Sequence, residues 1–266
     1  MDILSLVLLG VIAGVLAGLL GVGGGVVIVP VLVWIFQGNA DIPTIHLMHI
    51  AIGTSLATIV VTSVSSINAH HRRGAVQWPI VWQLLPGLVI GTLLGSVVAD
   101  FLPSDGLQLF FSVFILIVAL QLGFDLKPST HRQLLGRLGM GLVGGCIGLL
   151  SALVGIGGGS VTVPYLTWCN VNTRHAVATS AAGGFPIAVS GTIGFIATGL
   201  SASHLPEWST GYIYWPAFLA IAPASLLFAP LGAKLAHTVP VHVLKKIFAG
   251  YLAVVGLNMI FQQVMS

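Results

Sequence analysis

The chain has 266 residues, of which 56% are apolar and 6% charged, with a mean hydropathy of +1.06. A soluble domain covers its surface with roughly 25% charged residues, so this composition leaves no basis for a soluble domain and makes lipid the solvent. Nine Lys and Arg stand against six Asp and Glu; in a membrane chain that excess reads as orientation and not as nucleic-acid binding.

In chain order, Leu4 to Leu20 is apolar enough to be helical. With Asp2 ahead of it, no Lys or Arg before Leu4 and an internal copy further on, it is expected to stay in the mature protein and not to be a signal peptide. Gly21, Gly23, Gly24 and Gly25 then break the helix, because clustered glycines unwind one. Val26 to Phe36 follows, about 16 Å long if helical, half a bilayer. Gln37 to Pro43, with Asp41, is a polar turn, and Thr44 to Ala69 is a long helix carrying His46, His49, Thr54, Ser55 and the small-polar tail Thr62 to Ser66. A basic loop, His70 to Gly74, leads to a spanning helix over Val76 to Phe101. In that helix Trp78 and Trp82 are expected as interfacial anchors, and Gly87, Gly91 and Gly95 as a face for close helix packing. Leu107 to Phe124 spans again, and Asp125 to Arg137 is the longest polar loop.

The second half repeats this order. At a shift of 134, Gly14 to Trp34 returns as Gly148 to Trp168, with Gly21, Gly23, Gly24, Gly25 and Pro30 falling on Gly155, Gly157, Gly158, Gly159 and Pro164. Thr54-Ser55 falls on Thr179-Ser180 at a shift of 125, within a helix over Arg174 to Thr198. Trp78-Pro79 falls on Trp215-Pro216 at a shift of 137, within a helix over Tyr212 to Ala236, and Val243 to Val264 closes the copy. Such periodicity reads as duplication. The organisation expected is a first membrane repeat over 1–126, a cytoplasmic linker over 127–137 and a second membrane repeat over 138–266.

Charge then sets the topology. If each glycine-broken element crossed the membrane once, the nine basic residues would divide five against four. If each turns back at its glycines, all nine fall on one face, and Asp2, Asp41, Asp100, Asp105 and Glu207 fall on the other. The positive-inside rule selects the second arrangement. The fold class expected is therefore an all-α polytopic membrane protein. It would have two inverted repeats, each a glycine-broken re-entrant or hairpin helix followed by three transmembrane helices. Both termini would lie on the non-cytoplasmic side.

No Asp, Glu, Lys or Arg falls in the middle of a span, which argues against a charged metal site or a carboxylate proton relay. Two broken helices at matching positions of two halves point to a transporter's binding site. Helices restarting after Gly25 and Gly159 offer unpaired N–H groups and positive dipole ends, which suit an anion. Thr54, Ser55, Thr179 and Ser180 could add hydroxyl donors, as could Ser160 and Thr162, where the first copy has Val26 and Ile28. The alternatives stay open: GxxxG-type packing for the glycines, and interhelical or back-bonded hydroxyls for the Thr-Ser pairs. His46 and His49, at i, i+3, cap the outer mouth, bind a metal or sense pH. His70 and His71 read as a basic collar for anions, or as part of the histidine box of a membrane metalloenzyme. Cys146 and Cys169 are too few for a disulfide framework, and no cofactor is expected.

The doubled motif resembles the sulfite exporter TauE/SafE family of permeases. The likeness is carried by Gly21 to Gly25 and Pro30, Thr54-Ser55, His70 to Gly74 with Val76, Gly155 to Gly159, Pro164 and Thr179-Ser180. It implies transport, in the export direction, of sulfite, thiosulfate or organosulfonates across the inner membrane. An anion channel and a histidine-dependent metalloenzyme are the competing readings. The partners expected are a small sulfur oxyanion or organosulfonate and membrane lipid, with a homodimer compatible and nucleic acid not expected.

Overall fold

A computed structural model describes residues 3–20, 24–39, 42–124, 133–235 and 241–265. Ten helices carry these residues: α1 (Ile3–Leu20), α2 (Gly25–Gln37), α3 (Leu47–His71), α4 (Trp78–Phe101), α5 (Ser104–Gly123), α6 (Arg137–Val154), α7 (Gly159–Trp168), α8 (Thr173–Gly199), α9 (Trp215–Leu235) and α10 (Val241–Met265). A single 3-10 turn (Thr44–His46) leads into α3, and a two-residue hairpin, β1 (Ser209–Thr210) and β2 (Ile213–Tyr214), leads into α9. The sequence suggested a helix from Tyr212; instead Tyr212 joins the hairpin and α9 begins at Trp215, where Pro216 takes the second helical position that needs no amide.

Among the described residues, α3, α4, α5, α6, α8 and α9 are long and apolar enough to cross a membrane. Their outward faces carry large bare side chains, among them Ile90, Leu94, Ile117, Leu142, Ile193 and Leu227. A surface of that kind suits hydrocarbon and not water. Buried faces combine small residues with Leu, Ile and Phe, and the buried hydroxyls mostly bond back to their own helix, as Thr58 does to the Thr54 carbonyl (2.9 Å) and Thr92 to the Leu88 carbonyl (2.7 Å).

Both glycine-broken elements turn back on themselves. Ser5, in the first turns of α1, lines one cleft with Trp34, Ile35, Gln37, Gly38 and Asn39 at the end of α2. In the second half the Tyr165 hydroxyl of α7 reaches Met140 Sδ, in the first turn of α6, at 3.4 Å.

Several of the main helix contacts recur when the halves are exchanged. α4 lies along α6 as α9 lies along α1, α4 touches α8 as α9 touches α3, and α2 packs on α3 as α7 packs on α8. The α4–α6 seam is made by the glycine face expected from sequence. A methyl group on Gly87 would strike the Gly141 carbonyl, and one on Gly91 the Gly145 carbonyl, so the backbones themselves are in contact.

Equivalent helices meet across the exchange and run antiparallel. Gly53 at the start of α3 and Gly199 at the end of α8 both pack against Gly211–Tyr212, while Ala75, just past α3, has its carbonyl 2.8 Å from His175 Nδ1 at the start of α8. Likewise Gln108 Nε2 of α5 donates to the Met259 carbonyl of α10, and Gly123 of α5 packs on Ala249.

This course sorts the charges. Arg72, Arg73, Arg137, Arg174 and Lys246 lie at the end where α3 finishes and α8 begins; Asp100, Asp105 and Glu207 lie at the other. Asp41, Lys127 and Arg132 fall outside the described residues.

Candidate functional site

The two breaks meet inside the bundle. Gly24 and Gly158, at equivalent positions, cap α2 and α7 in the left-handed region, with φ of 76° and 75°. An L side chain there costs roughly 1–2 kcal/mol, which is why glycine stands at both. The chain thereby turns and restarts a helix in the same two steps each time. The Gly24 carbonyl accepts from Val27 and Ile28, and the Gly158 carbonyl from Val161 and Thr162. Val27 and Val161 are therefore the first residues whose amides are held within their helices. The amides of Gly25 and Val26, and of Gly159 and Ser160, head the helices at the positive end of the dipole. Pro30 and Pro164 also remove the amides that would have bonded the Val26 and Ser160 carbonyls, leaving more backbone polarity at the same spot.

Gly25 touches the opposite break directly: a methyl group on it would collide with the Gly155 carbonyl and Ile156 Cα. Gly155 ends α6 in the left-handed region at φ 72°, its amide held by the Ser151 carbonyl at 2.8 Å. Gly157 borders a cavity of about 10 Å³ with Ala17, Ile59, Thr62, Ser63, Ser66, Ala181 and Gly184. That is room for roughly one water.

The hydroxyls named by the sequence divide into two groups. Those of Thr54 and Thr179 are each turned to the start of a helix in the other half. Thr54 Oγ1 accepts the Tyr214 amide at 3.0 Å, just before α9, and Thr179 Oγ1 accepts the Gln77 amide at 3.0 Å, just before α4. Tyr214 and Gln77 are themselves repeat equivalents at the shift of 137, so this is one cross-tie made twice. Ser55 donates to the Gly155 carbonyl at 2.9 Å and so binds α3 to the opposite break. Ser180, its repeat equivalent, is 1% exposed and its Oγ has no hydrogen-bond partner. Ser160 Oγ is also buried and unpartnered. So is Ser151 Oγ, which lies 3.4 Å from where a methyl group on Gly158 would sit. A buried hydroxyl without a partner costs about 1–3 kcal/mol, and folded proteins keep few of them.

Ser151 was not singled out from the sequence. The signal was present, since Ser151 stands where the first half has Ala17. Gly21 and Gly23 lie outside the described residues, and Gly159 opens α7.

The histidines form two separate groups. At the acidic end, His46 and His49 pack against Tyr212, with ring centroids 5.5 and 5.0 Å from it, and His49 Nε2 lies 3.0 Å from the Ala99 carbonyl. Tyr212 donates to Asp100 Oδ1 at 2.8 Å, and burial together with that carboxylate raises its phenol above the ordinary tyrosine value. At the basic end His71 Nδ1 accepts from Trp78 Nε1 at 3.2 Å. Among the described residues no three His, Cys, Asp or Glu gather in a way that could hold a metal ion.

The comparisons with known proteins agree with this architecture. The model of the family described as "Sulfite exporter TauE/SafE" matches residues 6–259. A relative in Haemophilus influenzae is 38% identical over 97% of both chains, and one in Methanocaldococcus jannaschii is 29% identical over 96% of this chain and 94% of its own. The Bacillus subtilis protein YunE is 28% identical over the full length of both. All three bear the name "Probable membrane transporter protein". No solved structure matches the chain. With matching sequence from Leu6 to Met259 and paired helix breaks set inside a lipid-facing bundle, the chain belongs to the sulfite exporter TauE/SafE family of membrane transporters.

Proposed function

We propose that the protein exports small sulfur-containing anions, such as sulfite, thiosulfate or organosulfonates, across the inner membrane by alternating access around a site where its two breaks meet. The observation that carries this reading is the contact of Gly25 with the Gly155 carbonyl, flanked by helix starts and by buried hydroxyls without partners. Backbone of that kind is tolerated at membrane depth where it is buried in protein or lines a solute path. The family description supplies the sulfur anion and the outward direction. The antiparallel course of α3 against α8 and of α5 against α10 supports an inverted repeat. The gathering of Arg72, Arg73, Arg137, Arg174 and Lys246 at one end supports a cytoplasmic face there, with both termini opposite.

Helix breaks at matching positions of the two halves favour a carrier over a channel. The test is sulfite and thiosulfate flux in proteoliposomes, with and without an imposed pH gradient. Saturable flux that counterflow accelerates is the expected result. Flux that never saturates would make the protein a channel, and absence of flux for every sulfur anion tried would overturn the substrate class.

A further inference from the structure

The two breaks differ in chemistry, and the difference assigns the anion to one of them. Resting on the transport reading above, we infer that the solute is a monoanion bearing three oxygens, hydrogensulfite or a sulfonate, held at the second break by Ser151, Ser160 and Ser180. The first break is an apolar abutment.

The duplication supplies the argument. Ser151 and Ser160 stand where the first half has Ala17 and Val26, so the second break gained two hydroxyls that its mate lacks. At the third position both halves have serine, but Ser55 is engaged by the Gly155 carbonyl while Ser180 is not engaged at all. The three hydroxyls near the breaks that lack a partner thus belong to one half, although the main helix contacts around the breaks recur in both.

They also lie around one helix start. Ser151 Oγ is aimed at Gly158, the residue that caps α7, and Ser160 is in the first turn of that ten-residue helix. Ser180 lies one helical turn before Gly184, hence on the same face of α8, and Gly184 packs against the Gly157 carbonyl. Unpartnered hydroxyls beside the leading amides of one helix are donors awaiting acceptors, which suits an anion with several oxygens.

The charge of that anion follows from what is missing around it. Among the described residues none of the Lys and Arg side chains borders the break; Arg72, Arg73, Arg137, Arg174 and Lys246 lie at the basic end. Neutral donors can solvate one buried negative charge, whereas the cost of removing an ion from water rises with the square of its charge. Sulfate and fully ionised sulfite are therefore poor occupants, and hydrogensulfite and sulfonates good ones.

The test uses the full-length protein purified in detergent, with methanesulfonate as a permanent monoanion and sulfate as a permanent dianion. Methanesulfonate is expected to raise the unfolding temperature of the wild type in a saturable way and sulfate is not. Ser151→Ala and Ser160→Val should each weaken methanesulfonate binding by about tenfold or more. Ligand-free Ser151→Ala should melt at or above the wild-type temperature, since an unpartnered hydroxyl has been removed. A structural role for that hydroxyl would instead lower the ligand-free melting temperature and overturn the assignment. Equal stabilisation by sulfate would overturn the monoanion. Unchanged methanesulfonate binding in both variants, or no stabilisation of a wild type that still carries sulfite in liposomes, would remove this site and leave the transport reading standing. A wild type that neither binds nor carries any sulfur anion would end both.

Discussion

At the first break, the positions that matter carry Ala17, Val26 and a Ser55 already committed to a carbonyl; at the second they carry Ser151, Ser160 and a Ser180 committed to nothing. The caps of the two restarting helices have nearly the same backbone, left-handed glycines whose φ angles are 76° and 75°. After a duplication, then, the main chain is held by geometry that only glycine meets, while the side chains around it are free to diverge. The hairpin architecture needs both breaks, and a single solute needs polar groups at one.

Variants can break or sharpen this contrast. The largest effect is expected from Gly25→Ala, whose methyl group would fall on the Gly155 carbonyl where the breaks touch. Backbone pressed on backbone has no rotamer to yield, so the loss should exceed the ~1–3 kcal/mol usual for overpacking. It would be read as a collapse of monodisperse protein in size-exclusion chromatography; normal yield would mean that the breaks are not in contact.

Next come Ser55→Ala and Ser180→Ala, the same change at equivalent positions. The first leaves the Gly155 carbonyl without its donor and should cost about 1–3 kcal/mol, while the second should leave stability unchanged or slightly raised. Equal effects in thermal unfolding would erase the asymmetry between the breaks.

Gly24→Ala and Gly158→Ala should each lose roughly 1–2 kcal/mol from left-handed strain, the first methyl group also meeting the Ala13 carbonyl at 3.0 Å and the second the movable tip of Ile187 at 2.6 Å. A harmless Gly24→Ala would show that the first break does not need its turn.

The smallest and most even pair is Thr54→Val and Thr179→Val. Each strands one amide, at Tyr214 and Gln77, and each should cost about 1 kcal/mol. These two residues act as ties between halves, so their losses should match; a large difference would show that one of them does something else.

Much of this was legible in the residues. The clustered glycines mark where α2 and α7 begin, and the shift of 134 pairs their caps, Gly24 and Gly158. The glycine face of α4 packs as its spacing implied, backbone to backbone with α6. The Thr54 and Thr179 cross-ties were not legible, because nothing local says which distant loop will deliver an amide to a hydroxyl on a buried helix face. The start of α9 was misread at Tyr212 for a similar reason: the Tyr212 ring packs on His46 and His49 and its hydroxyl meets Asp100, contacts that fix it in a hairpin and that no local pattern announces. Ser151 could have been found by asking where the two copies differ in polarity, and not only where they agree.

The cross-ties also decide which helices are bound together. α9 lies along α1 and is tied to α3 through Thr54, and α4 lies along α6 and is tied to α8 through Thr179. The packed groups are therefore not the N-terminal and C-terminal stretches of polypeptide. Each is a composite in which helices of one copy hold a helix borrowed from the other, and the two composites meet along α3 and α8. Severing the chain midway would part the covalent halves and leave both composites intact.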